Sequence, residues 1–136
     1  MIEEDLVRRL LAERGCPDEV IESGLEGLVA AWERVVGEVE AGYSLGLDDY
    51  LNDLDGRQLV EEAIDLAEAA DREAARARVR AADLRMKALV RPTAECLWGE
   101  TVAESEGWTP QSNWWYFSLP RAPGAMLRED LEGGEP

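Results

Sequence analysis

The side chains able to do chemistry in this 136-residue chain are carboxylates and two thiols, because histidine is absent. That absence removes the commonest general base and the commonest transition-metal ligand together. Cys16 precedes Pro17 at an expected helix start, where a helix dipole can lower a thiol pKa. No neighbour in sequence completes a nucleophilic set around it. Cys16 therefore reads as an ordinary buried or capping cysteine, and Cys96, beside Trp98, reads as core. There is no Gly-rich phosphate loop, no GxSxG and no CxxC. No catalytic residue, metal ligand or cofactor is assigned.

The carboxylates invite two metal readings. In an EF-hand loop ending at Glu62, the residues Asp53, Asp55 and Gly56 would take the third, fifth and sixth positions. The first position would then fall on Leu51, which cannot ligate, and Gln58 stands where an apolar residue is usual. Further on, Glu62 and Asp65, like Glu68 and Asp71, have ExxD spacing. This resembles the carboxylate pairs of all-helical nucleotide pyrophosphohydrolases, whose ExxE and ExxD motifs hold magnesium. The resemblance would imply metal-dependent nucleotide hydrolysis lost on changing Glu62 or Asp65. A magnesium cage in a bundle needs inward carboxylates from facing helices. Glu61, Asp65 and Glu68 project away from the apolar stripe expected to be buried, and the earlier helices offer no matching inward ExxE.

The element that must position all of these is the stretch from Gly56 to Arg91, which has no proline and no further glycine. At 100° per residue, Leu59, Ala63, Leu66, Ala70, Ala74, Ala77, Ala81, Leu84 and Ala88 share one narrow sector, a helical periodicity that a strand cannot produce. One long helix is expected, N-capped by Asp55. A second apolar sector, Ala75, Val79, Ala82, Met86 and Leu89, appears only in its later half, with Arg78 and Arg85 between the two. The first sector is expected to pack on an earlier helix. The second is expected under the C-terminal arm or at a homodimer seam.

Upstream, residues 2–14 read as a short amphipathic helix stopped by Gly15. Pro17 opens a second helix whose apolar face is Ile21, Leu25, Leu28, Trp32, Val35 and Val39, widened by Val29 and Val36. Gly24, Gly27 and Gly37 each weaken it by up to about 1 kcal/mol relative to alanine. Residues 42–55 connect it to the long helix, with one or two helical turns over Leu47 to Leu54.

Pro92 ends the long helix, and composition then changes. Six of the nine aromatics lie in residues 98–117. Two strands, Glu95–Ala103 and Asn113–Leu119, are expected to form a small hairpin. Trp115, Phe117 and Leu119 would face one way, and Trp114, Tyr116 and Ser118 the other. Met126 to Leu131 reads as a short helix. The fold class is mainly α: a small helical bundle built on one long helix, with a Trp-rich C-terminal arm (residues 92–120) bearing a short β-hairpin. Residues 1–131 form one domain, and 132–136 a disordered acidic tail.

The net charge is −16 and the length suffices for a core without disulfides. No apolar run has membrane-span length, the start is not a secretory signal, and two cysteines are no disulfide framework. The expected location is cytoplasmic. Thirteen arginines against the single Lys87, with abundant alanine, glycine and glutamate, associate the chain with a GC-rich bacterial genome.

Acidity argues against nonspecific nucleic-acid binding, which needs a positive field, and suits a basic partner. Residues 72–91 nevertheless hold seven positive charges against Glu73 and Asp83, a local sum of +5 that leaves −21 for the rest. Arg72, Arg76, Arg80 and Lys87 lie together on the polar side. Neutralisation by acidic helices is the expected role of this stripe, and a phosphate or nucleic-acid site is the sharper alternative.

Tryptophan, tyrosine and arginine concentrate binding energy at interfaces. Trp114, Trp115, Tyr116 and Arg121 are therefore the candidate partner-binding residues, set against the plainer role of plugging a small bundle. The expected function is a non-catalytic acidic protein-binding module, in its concrete form an inhibitor or immunity-type protein covering a basic partner. The alternatives are the metal-dependent nucleotide hydrolase and a homo-oligomeric structural module joined along Ala75–Leu89.

Overall fold

The computed structural model describes residues 5–133. The chain is mainly α, with six helices and one pair of short strands among the described residues. Helix α1 (Leu6–Glu13) is capped by Asp5, whose side chain accepts from the backbone N–H of Arg8, and ends at Gly15 with φ +74°. The glycine stop is as expected, since only glycine enters that region without strain. The start expected at Ile2 lies outside the described residues.

Helix α2 (Asp18–Glu40) follows Pro17 and is the centre of the bundle. Leu28, Val29, Trp32, Val35, Val36 and Val39 are buried, as their spacing predicts. Gly24 does more than weaken it. At φ +60° and ψ −148° it interrupts the helix outright. The carbonyls of Ile21 and Glu22 then lose helical partners, and the guanidinium of Arg8 donates to both, at 3.2 Å and 2.8 Å.

The single long helix is not formed. The 56–91 stretch belongs to α3 (Leu47–Ile64) and α4 (Ala69–Leu89), separated by a turn in which Glu68 is extended. No glycine or proline forces this break, and local propensity opposes it. Length explains it: one helix of 36 residues would run about 54 Å, against about 35 Å for the 23 residues of α2. Folding back lets both halves pack on α2. Gly56 and Asp55 lie inside α3, so Asp55 is not a helix cap.

The break also decides which sector is buried. Ala63 is buried, but Ala70, Ala74, Ala77, Ala81, Leu84 and Ala88 are exposed. Ala75, Val79, Ala82 and Met86 form the inner face of α4 against α2. Burying valine and methionine removes more apolar area from water than burying alanines, at about 25 cal/mol per Å². The same rotation sets Arg78 against Glu26 and Glu33, and Arg85 against Glu40, all on α2. The Ala75–Leu89 flank is therefore covered largely by this chain's own α2.

After α4 the chain becomes extended. β1 (Val90–Pro92) pairs antiparallel with β2 (Ser118–Pro120), Arg91 opposite Leu119. A two-stranded antiparallel pair was expected, but from other residues. Glu95–Ala103 runs instead through a turn into helix α5 (Glu100–Glu106), and Trp114–Phe117 is a 3₁₀ turn. The strict alternation of side chains fails accordingly: Trp115, Tyr116, Phe117, Ser118 and Leu119 are all buried. Helix α6 (Ala125–Gly133) inserts Leu127. Glu132 and Gly133 belong to it, and 134–136, the rest of the expected tail, lie outside the described residues.

Two apolar clusters result. One holds Val7, Leu11, Val29, Val60, Ile64 and Val79, where α1, α2, α3 and α4 meet. The other is built around Trp32, Tyr50, Met86, Trp115 and Leu127 and includes the C-terminal arm.

Candidate functional site

The Trp-rich arm is mostly core. Trp115 and Tyr116 are 1% exposed, Trp114 is half-buried, and Arg121 is exposed. Of the four candidate partner-binding residues, only Arg121 and part of Trp114 reach the surface. Asp55 explains how the arm is held. Tyr116 Oη donates to Asp55 Oδ1 at 2.5 Å, and Trp98 Nε1 donates to the same oxygen at 3.1 Å. Trp108 stacks on the Tyr116 ring at 4.0 Å between centroids. Burial first, then the bond to Asp55, holds the Tyr116 hydroxyl protonated well above the usual phenol range. Tyr116 is thus an anchor in a packed arm.

The carboxylates do not converge. Glu62 faces Arg14 and Gln58, and Asp65 faces Arg76. Asp53 sits within α3, where it accepts from Tyr43 Oη at 2.5 Å. Among the described residues, no group of three or more His, Cys, Asp or Glu is arranged to hold a metal ion. Asp53, Asp55 and Glu62 of the EF-hand spacing, and Asp65 of the first ExxD pair, are thus drawn into other contacts. Cys96 is buried and Cys16 half-buried, and neither is in a disulfide.

Two charged arrangements stand out instead. The first is the node at Arg57, a residue not singled out by sequence reasoning. Its side chain is 5% exposed and binds Asp83 through two nitrogens, at 3.2 Å and 2.9 Å, and Glu61 through a third, at 3.0 Å. Trp32 Nε1 donates to Asp83 Oδ1 at 2.9 Å, and the guanidinium lies 4.1 Å from the Trp115 ring centroid. A signal was present: Arg57 interrupts the run Leu51, Leu54, Val60, Ala63, which otherwise steps in threes along a buried face. A charge in such a run needs buried partners. The node forms the floor of a cleft of about 300 Å³ between α3 and α4, whose walls include Arg80, Lys87 and Leu84.

The second arrangement is an acidic end, where the C-terminus of α2, the N-terminus of α3 and α6 meet around Tyr43. Gly124 donates to the Tyr43 carbonyl at 3.1 Å, so closely that a β-carbon there would meet backbone oxygens at 2.5 Å. Asp130, from α6, accepts from the backbone N–H of Leu47 at 2.9 Å and so caps α3. Asp48 and Asp49 occupy the first turn of α3. Burial raises the pKa of Asp53 above the ordinary carboxylate value, and nearby Glu38 and Asp49 add to that, opposed by Tyr43 and Arg34. Leu45 and Met126 are 43% and 52% exposed at this end. Glu38, Asp48 and Asp49 make no ion pair among the described residues.

No helix among the described residues is long and apolar enough to cross a membrane. Compared with protein-family models, curated proteins and solved structures, the chain matches none.

Proposed function

We propose that this chain is a non-catalytic module that binds another protein, and that its acidic end receives a basic partner. The observation that carries this reading is the segregation of charge. Arg14, Arg57, Arg76, Arg78 and Arg85 are all engaged by carboxylates of the chain itself. Glu38, Asp48 and Asp49 make no ion pair among the described residues, and Leu45 and Met126 are exposed at the same end. Apolar contact ringed by one sign of charge is the form in which a surface both steers and holds a partner of opposite charge. In its concrete form the module is an inhibitor or immunity-type protein that covers a basic toxin or nuclease.

The test is capture by the immobilised chain. Wild-type protein should take up a basic protein from the host at about 50 mM salt and release it at about 500 mM, because screening shortens the reach of exposed charges. The variant Glu38→Gln/Asp48→Asn/Asp49→Asn, with an unchanged circular dichroism spectrum, should not capture it. Met126→Ser should weaken capture without unfolding the chain. Equal capture by wild type and the triple variant would remove the acidic end from the reading.

A further inference from the structure

We propose that the cleft between α3 and α4 binds a small phosphomonoester, with Arg80 and Lys87 as the ligands of its phosphate. The positive stripe of residues 72–91 is only partly neutralised. Arg78 and Arg85 are paired with α2, and Arg76 with Asp65. Inside the cleft, Asp83 and Glu61 are both bound to Arg57. Its three carboxylates, Glu61, Asp65 and Asp83, are therefore engaged. Arg80 and Lys87 line the same cleft and have no carboxylate within 4 Å among the described residues. Two uncompensated cations thus share one concave wall of a chain whose net charge is −16.

Their spacing suits one anion. Seven residues apart on α4, their Cα atoms are separated by about 10.5 Å along the axis and point to nearly the same side. Two long side chains can close on a single phosphate from that distance. Lys87 already has a direction: its ammonium lies 5.0 Å from the centroid of the Trp114 ring. Arginine contributes a planar fork that matches phosphate oxygens, and lysine a point charge. Ile64, Val79 and Leu84 supply apolar wall for the organic part of the ligand. The volume of about 300 Å³ is at the small end of ligand sites. A nucleic acid is disfavoured because its further phosphates would meet the acidic remainder of the chain.

The experiment is a titration of the full chain with ribose 5-phosphate, with ribose as the uncharged control, followed by nitrogen–proton NMR at low salt. Saturable shifts should appear at Arg80 Nε–H and Trp114 Nε1–H with the phosphate ester and not with ribose. Arg80→Gln/Lys87→Gln should weaken binding at least about tenfold, the equivalent of one lost charge-assisted contact. Arg91→Gln, outside the cleft, should leave binding unchanged. Arg80, Lys87 and Arg91 are all exposed, so these variants keep the fold. Absence of saturable shifts, equal shifts with ribose, or tighter binding of an oligonucleotide or an acidic peptide at the same residues would each overturn the proposal.

Discussion

Arg57 Nη2 lies 2.9 Å from Asp83 Oδ2, and Arg57 Nε lies 3.2 Å from Asp83 Oδ1, joining α3 to α4 inside the bundle. In sequence, Arg57 stands between Leu54 and Val60, and Asp83 between Val79 and Met86. In each case one neighbour belongs to the first apolar cluster and the other to the second. The pair therefore marks the boundary between the two cores. Removing Asp83 leaves the buried Arg57 with only the half-exposed Glu61 as a charged partner. Asp83→Ala should cost about 3–5 kcal/mol, and Arg57→Met/Asp83→Leu much less than the sum of the single changes. Urea unfolding midpoints of the three chains would check this.

The two faces of α4 should respond oppositely to truncation. Met86 is fully buried, and Met86→Ala should cost about 2–5 kcal/mol. Leu84 is 69% exposed, and Leu84→Ala should stay within about 0.5 kcal/mol of wild type. The reverse order in denaturant unfolding would mean that the alanine sector, not the Val79 sector, is the inner face.

Gly24 and Arg8 form one device. A β-carbon at Gly24 would meet nothing within 4 Å, so space is not what excludes alanine. The backbone is: at φ +60° and ψ −148° an L-residue is strained by about 1–3 kcal/mol. Gly24→Ala should lower stability by that order. Arg8→Met should cost about 1 kcal/mol, by leaving the carbonyls of Ile21 and Glu22 to water. Thermal melts of both variants give the comparison.

Stability should peak on the acid side of neutrality. The carboxyl of Asp53 is raised above 3.8, chiefly by burial. The folded chain therefore holds its proton more tightly than the unfolded chain. The resulting stabilisation is complete below 3.8 and is lost as pH rises through the folded value. Glu33 and Glu40 behave oppositely. Hydrogen bonds from Arg78 and Arg85, respectively, hold them below 4.5, so their contribution is present above 4.5 and lost as pH falls through their folded values. Melting temperature should rise as pH falls through the folded value of Asp53 and then fall below the ordinary glutamate range. Asp53→Asn should flatten the first of these limbs, while its amide oxygen still accepts from Tyr43.

Elements with short-range signals are legible in the residues alone. Gly15 stops α1, since it alone there adopts positive φ without strain. The apolar repeat from Leu28 to Val39 puts one face of α2 in the core, and the chain turns extended just before Pro92. The need of Arg78 and Arg85 for acidic partners was legible too, from their position between two apolar sectors.

Where the Gly56–Arg91 stretch breaks, and which of its sectors is inside, is set by packing between distant segments. Both sectors have helical spacing, and no residue between Asp65 and Glu68 is a helix breaker. The choice rests on how much apolar area α2 can cover when α3 and α4 fold back on it, a comparison between distant segments that periodicity does not contain. The same reason governs the arm. Trp114 to Phe117 reads as a strand when taken alone, but Asp55 of α3 ties down Tyr116 and Trp98. Trp115 and Tyr116, offered by the sequence as part of a partner surface, became core, while Arg121 and part of Trp114 stayed at the surface.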